Sequence, residues 1–266
     1  MTHNIGIILF DIDGVIRDVT NSYRMAIQET VCFFCGWKPS IQDIDSIKNE
    51  GCWNNDWDLS LEMISRHAQN NNLSLSTPER EKLIKCFENF YFGGNPKDDS
   101  SKWSGFIKNE KLLVNQSLFD ELTKRRISWG FVSGAELASA KYVLEQRLGL
   151  VSAPLIAMGD APENPDPTGL ISLSSKLSTS PLGVSNPPIA YIGDTVADIK
   201  TIINARSRIP QQKFISIAIA PPHLHGNSNN EKRLNYEVKL KEAGADLILK
   251  SMENLKDEVF KLLTSQ

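Results

Sequence analysis

The chain has 266 residues, a formal net charge of −3 and a 41% hydrophobic share, enough for one large domain or a core domain with a smaller companion. Lysine and arginine are scattered rather than blocked, which excludes a marked nucleic-acid or anionic-lipid surface, and no run approaches the roughly 18 apolar residues of a membrane span. Met1-Thr-His-Asn carries no basic lead and the apolar run after it is too short for a signal peptide. The four cysteines are therefore expected as reduced thiols, and the cytoplasm as the compartment.

In chain order, Ile5-Gly-Ile-Ile-Leu-Phe10 is a short continuous apolar run that stops at an acidic cluster. Runs of this kind are strands buried on both faces of a parallel sheet. Residues 20–105 then offer helix candidates over Tyr23–Phe34, Ile41–Lys48, Trp57–Ala68 and Pro78–Phe90, and no convincing strand. Thr77-Pro78 reads as an N-cap followed by a first-turn proline, and Gly93–Ser101 as a flexible exit. Beyond it, strands are expected at Ile127–Val132, Leu155–Met158, Ile189–Ile192, Phe214–Ile219 and Asp246–Leu249. Helix-period segments separate them, near 112–125, 135–148, 168–178, 195–206, 230–243 and 252–263. This alternation predicts an α/β fold, a doubly wound parallel sheet formed by residues 1–19 and 106–266, with residues 20–105 inserted as an all-helical cap.

Carboxylates fall where such a sheet binds ligands, at the carboxyl ends of strands. Asp11 and Asp13 follow the first strand at i and i+2, on one side of an extended segment, and Gly14 allows a sharp turn. Two acids so close repel unless a cation lies between them, and Mg²⁺ takes one or two carboxylates together with substrate phosphate. Asp194 ends the strand Ile189–Ile192, with Asp198 about one helical turn later. Ser133-Gly134 ends another strand with a hydroxyl and an accessible backbone N–H. Each feature also has a plain structural use. Asp11 and Asp13 can be a solvated turn, Asp194 an N-cap for the helix near Thr195, and Ser133 an ordinary strand-end hydroxyl.

In register, Asp11-x-Asp13-Gly-Val, Phe131-Val-Ser133-Gly and Gly193-Asp194-x-x-x-Asp198 resemble the first, second and fourth motifs of the haloacid dehalogenase superfamily of phosphatases, in the branch with a helical cap. The resemblance implies that Asp11 is the nucleophile of an aspartyl-phosphate route and that Asp13 is its acid and base. It implies Mg²⁺ on the Asp11 carboxylate, the Asp13 carbonyl and Asp194, Ser133 and Gly134 on a phosphoryl oxygen, and Asp198 behind the metal. The substrate implied is a small phosphorylated metabolite such as a sugar or polyol phosphate.

One position departs from the family. The third motif places a lysine before a proline, and here that position, facing the substrate phosphate, is Asn164. Losing such a contact commonly costs roughly 10²–10³ in rate. Lys176, Lys141 and Arg17 are candidate replacements. The alternatives are a slow enzyme, a phosphate-binding or regulatory module without turnover, or a phosphomutase. In the cap, Cys32, Cys35, Cys52 and Cys86 read as buried thiols rather than a zinc site. Trp53-Asn-Asn-Asp-Trp57 reads either as a substrate-facing turn or as a helix start with packed tryptophans, and His223 and His225 as a loop following a strand.

Overall fold

The computed structural model describes residues 4–48, 50, 53, 55–226 and 229–264. Gly51, Cys52 and Asn54 of the cap, and Asn227 and Ser228 of a polar loop, lie outside the described residues. The chain divides into two compact units, Met1–Asp18 with Leu112–Gln266, and Val19–Lys111.

The first unit holds the expected parallel sheet. Its strands are β1 (Gly6–Phe10), β2 (Ile127–Val132), β3 (Leu155–Ile156), β4 (Ile189–Gly193), β5 (Phe214–Ile219) and β6 (Leu247–Leu249), in the order β3-β2-β1-β4-β5-β6. The chain works outward from β1 to β3, returns to the other side of β1 for β4, and works outward again. Neighbouring strands β1 and β4 therefore flank the point where the winding reverses, which is where ligands bind in such sheets. The register fixes what meets there. Phe10 lies opposite both Phe131 and Ile192, so the residues that follow, Asp11, Ser133 and Asp194, emerge along one edge.

Among its described residues the second unit holds the α-helices α1 (Tyr23–Cys35), α2 (Ile41–Lys48), α3 (Asp56–Asn70) and α4 (Arg80–Phe92), followed by short 3-10 turns at Ser100–Lys102 and Phe106–Asn109. The α-helices of the α/β unit are α5 (Gln116–Lys124), α6 (Leu137–Lys141), α7 (Thr168–Leu177), α8 (Val196–Arg208), α9 (Asn230–Glu242) and α10 (Leu255–Thr264). All five residues of β1 are buried, because both faces of the sheet are covered. Ile7 and Leu9 pack with Leu170 and Leu173 of α7 and Ile202 and Ala205 of α8. Phe10, on the opposite face, meets Phe119 of α5 edge-on at 5.5 Å and Phe131 at 5.9 Å. Each large apolar side chain so buried contributes about 1.5–3 kcal/mol, which is why strand runs here are continuous rather than alternating.

In the helical unit, α1, α3 and α4 pack mutually. Tyr23 stacks on Tyr91 with centroids 4.3 Å apart, and Trp37 stacks on His67 at 4.7 Å.

Three local expectations need correction. Thr77 does not cap α4: the helix opens at Arg80, and the Glu79 carbonyl accepts from Lys82 and Leu83. Pro78 disfavours helical backbone at the residue before it, and the start moves downstream. The strand at Leu155 ends at Ile156, because the Met158 N–H turns to the Ala135 carbonyl (3.0 Å) and Gly159 adopts φ +88°. Residues 93–104 form a hydrogen-bonded turn rather than a loose exit. Gly93 ends α4 at φ +66°, Ser104 and Gly105 donate to the Phe92 carbonyl, and the Trp103 indole donates to Asn95 O (3.0 Å).

Candidate active site

Asp11 is the first residue beyond β1, and its N–H still donates to Ile192 O on β4 (2.8 Å). The chain then coils tightly. Ile16 and Arg17 donate to the Ile12 carbonyl, and Gly14 donates back to Arg17 O (2.9 Å) with φ +75°. This loop folds the Arg17 side chain, fully buried, onto Asp13. Nε donates to Asp13 Oδ1 at 2.6 Å, and another guanidinium nitrogen donates to Ser139 Oγ at 3.2 Å. Arg17 is thus the cation at this turn, and it is engaged with Asp13.

The second acidic segment follows β4. Thr195, not Asp194, is the N-cap of α8. Its hydroxyl accepts from the Asp198 N–H while the Asp198 carboxylate accepts from the Thr195 N–H (2.9 Å) and hydroxyl (2.6 Å). This is a reciprocal capping box. It leaves Asp194 outside the helix, its carbonyl accepting from the Tyr236 hydroxyl of α9 at 2.9 Å. The other oxygen of Asp198 accepts from Asn164 Nδ2 (2.7 Å) and lies 3.1 Å from Tyr191 Oη. Tyr191 Oη is also 3.0 Å from Val132 O and accepts from Asn164 Nδ2 at 3.2 Å. The single phenolic proton is therefore shared between two acceptors.

Among the described residues, ligating atoms of Asp11, Asp194 and Asp198 all lie within 4.8 Å of one another. Burial above all, then the carboxylates of Asp198, Asp13 and Asp194, push the Asp11 carboxyl well above its ordinary range, against a lowering hydrogen bond from Ser133. Burial also raises Asp198, although hydrogen bonds from Thr195, Tyr191 and Asn164 oppose it. Burial and the neighbouring carboxylates raise the Tyr191 phenol, so it stays a donor. Such crowding of like charge is what a bound cation relieves.

The residues present fit a hard divalent ion. The donor set is oxygen alone, and the backbone makes space for it. A Cβ on Gly14 would stand 2.0 Å from Asp194 Oδ2, and one on Gly193 would stand 2.3 Å from Asp198 Cβ.

Of the residues expected from sequence, Asp11, Ser133, Asp194, Asp198 and Asn164 are joined in one network. The Asp13 side chain stands beside it, held by Arg17. Gly134 is exposed, with nothing within 4 Å of where a Cβ would project, so its backbone is open to a ligand. Lys141 and Lys176 are exposed on α6 and α7. His223 and His225 lie in a turn after β5, where the His225 ring hydrogen-bonds Ala220 O at 2.7 Å. In the helical unit, Cys32, Cys35 and Cys86 are free thiols, Cys35 donating to Val31 O. Asn55 caps α3 by accepting from the Trp57 and Asp58 N–H groups, the Trp53 indole donates to Glu50, and Arg80 lies over the Trp57 ring. Tyr191 was not anticipated. The signal was present, since a phenol inside a strand buried on both faces needs a partner for its hydroxyl.

A model of haloacid dehalogenase-like hydrolases matches residues 5–206. The chain belongs to this family. Similar solved structures include a family IA, variant 3 hydrolase of this type from Entamoeba histolytica, at 18% identity and a TM-score of 0.66, covering 98% of this chain and 100% of that one. Phosphatase Tt82 from Thermococcus thioreducens matches at 20% identity and a TM-score of 0.58, over 88% of this chain and 98% of that one. A putative beta-phosphoglucomutase from Thermotoga maritima matches at 14% identity and a TM-score of 0.60, over 97% and 99%. These likenesses establish the fold. A curated relative from Phytophthora nicotianae, named imidazoleglycerol-phosphate dehydratase, is 32% identical over 195 residues, 72% of this chain; the chain spans 40% of that relative's length. Among the described residues no helix is long and apolar enough to cross a membrane.

Proposed function

We propose that this family member is a Mg²⁺-dependent phosphatase that hydrolyses a small phosphomonoester, a sugar or polyol phosphate or a similar metabolite, by way of an aspartyl-phosphate. The observation that carries the proposal is the gathering of Asp11, Asp194 and Asp198 at the switch point of the sheet, with Ser133 on Asp11. In the first half-reaction an Asp11 oxygen bonds to phosphorus while the ester P–O bond breaks, and Asp13 delivers its proton to the departing alkoxide. In the second, Asp13 takes a proton from water, the water oxygen bonds to phosphorus, and the acyl phosphate bond to Asp11 breaks. Ser133 and the open backbone at Gly134 bind phosphoryl oxygens.

Asp11, the Asp13 carbonyl and Asp194 would hold the ion, with Asp198 beside them. When bound, it neutralises charge on the phosphoryl oxygens. Asp13 must leave Arg17 or share it in order to reach the leaving oxygen. The free thiols of the described cysteines, Cys32, Cys35 and Cys86, suit a reducing compartment such as the cytoplasm.

The test is release of inorganic phosphate from a panel of phosphorylated metabolites with Mg²⁺. The relative's printed name adds imidazoleglycerol-phosphate, itself a phosphorylated polyol, to that panel. Turnover that vanishes in Asp11→Asn supports the proposal. Turnover that survives this substitution, or is absent from every ester tried, removes it.

A further inference from the structure

Asn164 stands where the family resemblance calls for lysine, and the structure shows what the amide does instead. Nδ2 donates to Asp198 Oδ1 at 2.7 Å and to Tyr191 Oη at 3.2 Å. An ammonium here would supply a hydrogen bond and a positive charge beside Asp198. The amide supplies the bond alone. The three clustered carboxylates carry a formal charge of about −3 when ionised, and a lysine would reduce it by one. Arg17 does not make up the difference, being committed to Asp13 and Ser139, and Lys141 and Lys176 are exposed.

One unit of charge beside the acid cluster acts with opposite sign on cations and anions bound there, and low local dielectric strengthens both effects. We propose that Asn164 sets the order of affinities at this site: the acid cluster holds its divalent cation firmly before any phosphate arrives, and holds phosphate dianions weakly. Inorganic phosphate then leaves readily as product, and the substrate must draw its affinity from contacts outside the phosphoryl group. The inference rests on the phosphatase reading above and concerns binding, so it is measured without turnover.

The experiment is calorimetric titration of metal-free protein with Mg²⁺, in wild type and in Asn164→Lys, followed by titration of the metal-loaded proteins with inorganic phosphate. Asn164→Lys is expected to weaken Mg²⁺ about tenfold or more and to tighten phosphate by a similar factor. It is also expected to raise the melting temperature of the metal-free protein, which a merely misfolded variant does not do. Asn164→Gln, which changes no charge, should shift Mg²⁺ affinity less than about threefold. If Asn164→Lys does not fold, Asn164→Asp tests the same idea with the sign reversed: tighter Mg²⁺, weaker phosphate. Equal Mg²⁺ affinity in wild type and a folded Asn164→Lys overturns this inference alone. Wild type that takes up no Mg²⁺ overturns the metal site and the inference together.

Discussion

The helical unit and the Asp11–Asp194–Asp198 cluster of the α/β unit treat their carboxylates in opposite ways. In the helical unit most of the described acids are paired with cations or hydrogen-bonded. Glu50 is drawn down to about 2 by hydrogen bonds from Arg66 and Trp53, Asp99 is lowered by Ser101, and Lys48 pairs with Asp56 at 2.6 Å. At the strand ends of the α/β unit, Asp11 and Asp198 are instead pushed upward by burial, Asp11 also by its neighbouring acids. Paired charges serve a fold that is already complete. Crowded ones are tolerated where a ligand relieves them, and the energy they cost the metal-free protein becomes affinity for that ligand.

The sharpest way to break this contrast is Asp11→Asn. It is expected to lower phosphate release on the order of 10³-fold or more, read as inorganic phosphate from the best ester of the panel, while circular dichroism stays unchanged. Asp194→Asn comes next. It should abolish the Mg²⁺-induced rise in melting temperature and yet raise the metal-free melting temperature by a few degrees, because one repelling charge has gone. A metal-free Asp194→Asn that melts lower than wild type contradicts the crowding argument.

The pH response carries the same sign. Asp11 and Asp198 bind protons more tightly folded than unfolded. Metal-free protein should therefore keep their full contribution below the ordinary aspartate value of about 4. It should lose that contribution as pH rises from there through the elevated folded values. Denaturant melts in chelator at stepped pH measure this, and the slope should flatten in Asp11→Asn. The smallest effect belongs to the other unit. Asn55→Ala removes the cap of α3 and should cost about 1 kcal/mol, seen as a modest drop in melting temperature that does not depend on metal.

Much of the α/β unit was legible because strand periodicity, crossover rules and register do most of the placement. Once Phe10, Phe131 and Ile192 are adjacent, the residues after them share an edge whatever the helices do. Ligand roles at the edge were harder to read. Asp198 was expected behind the metal; its carboxylate is engaged by Thr195, Asn164 and Tyr191 close to Asp11 and Asp194, held there by a Thr195–Asp198 capping box whose Thr-x-x-Asp spacing was available in the sequence. The Asp13–Arg17 pair depends on a tight non-helical coil that spacing does not reveal. In the helical unit, helix existence was legible and helix ends were not. Proline at 78 pointed to the start of α4 but not to the residue that would lead it, since Thr77 and Glu79 both flank the boundary.

Gly14 and Gly193 leave room for the carboxylates of Asp194 and Asp198. Grafting the acids alone onto another parallel sheet would fail, since a single methyl at either glycine would evict a carboxylate. Alanine at position 14 or 193 should therefore cripple the site as thoroughly as deleting the acid it displaces, although neither glycine carries any chemistry of its own.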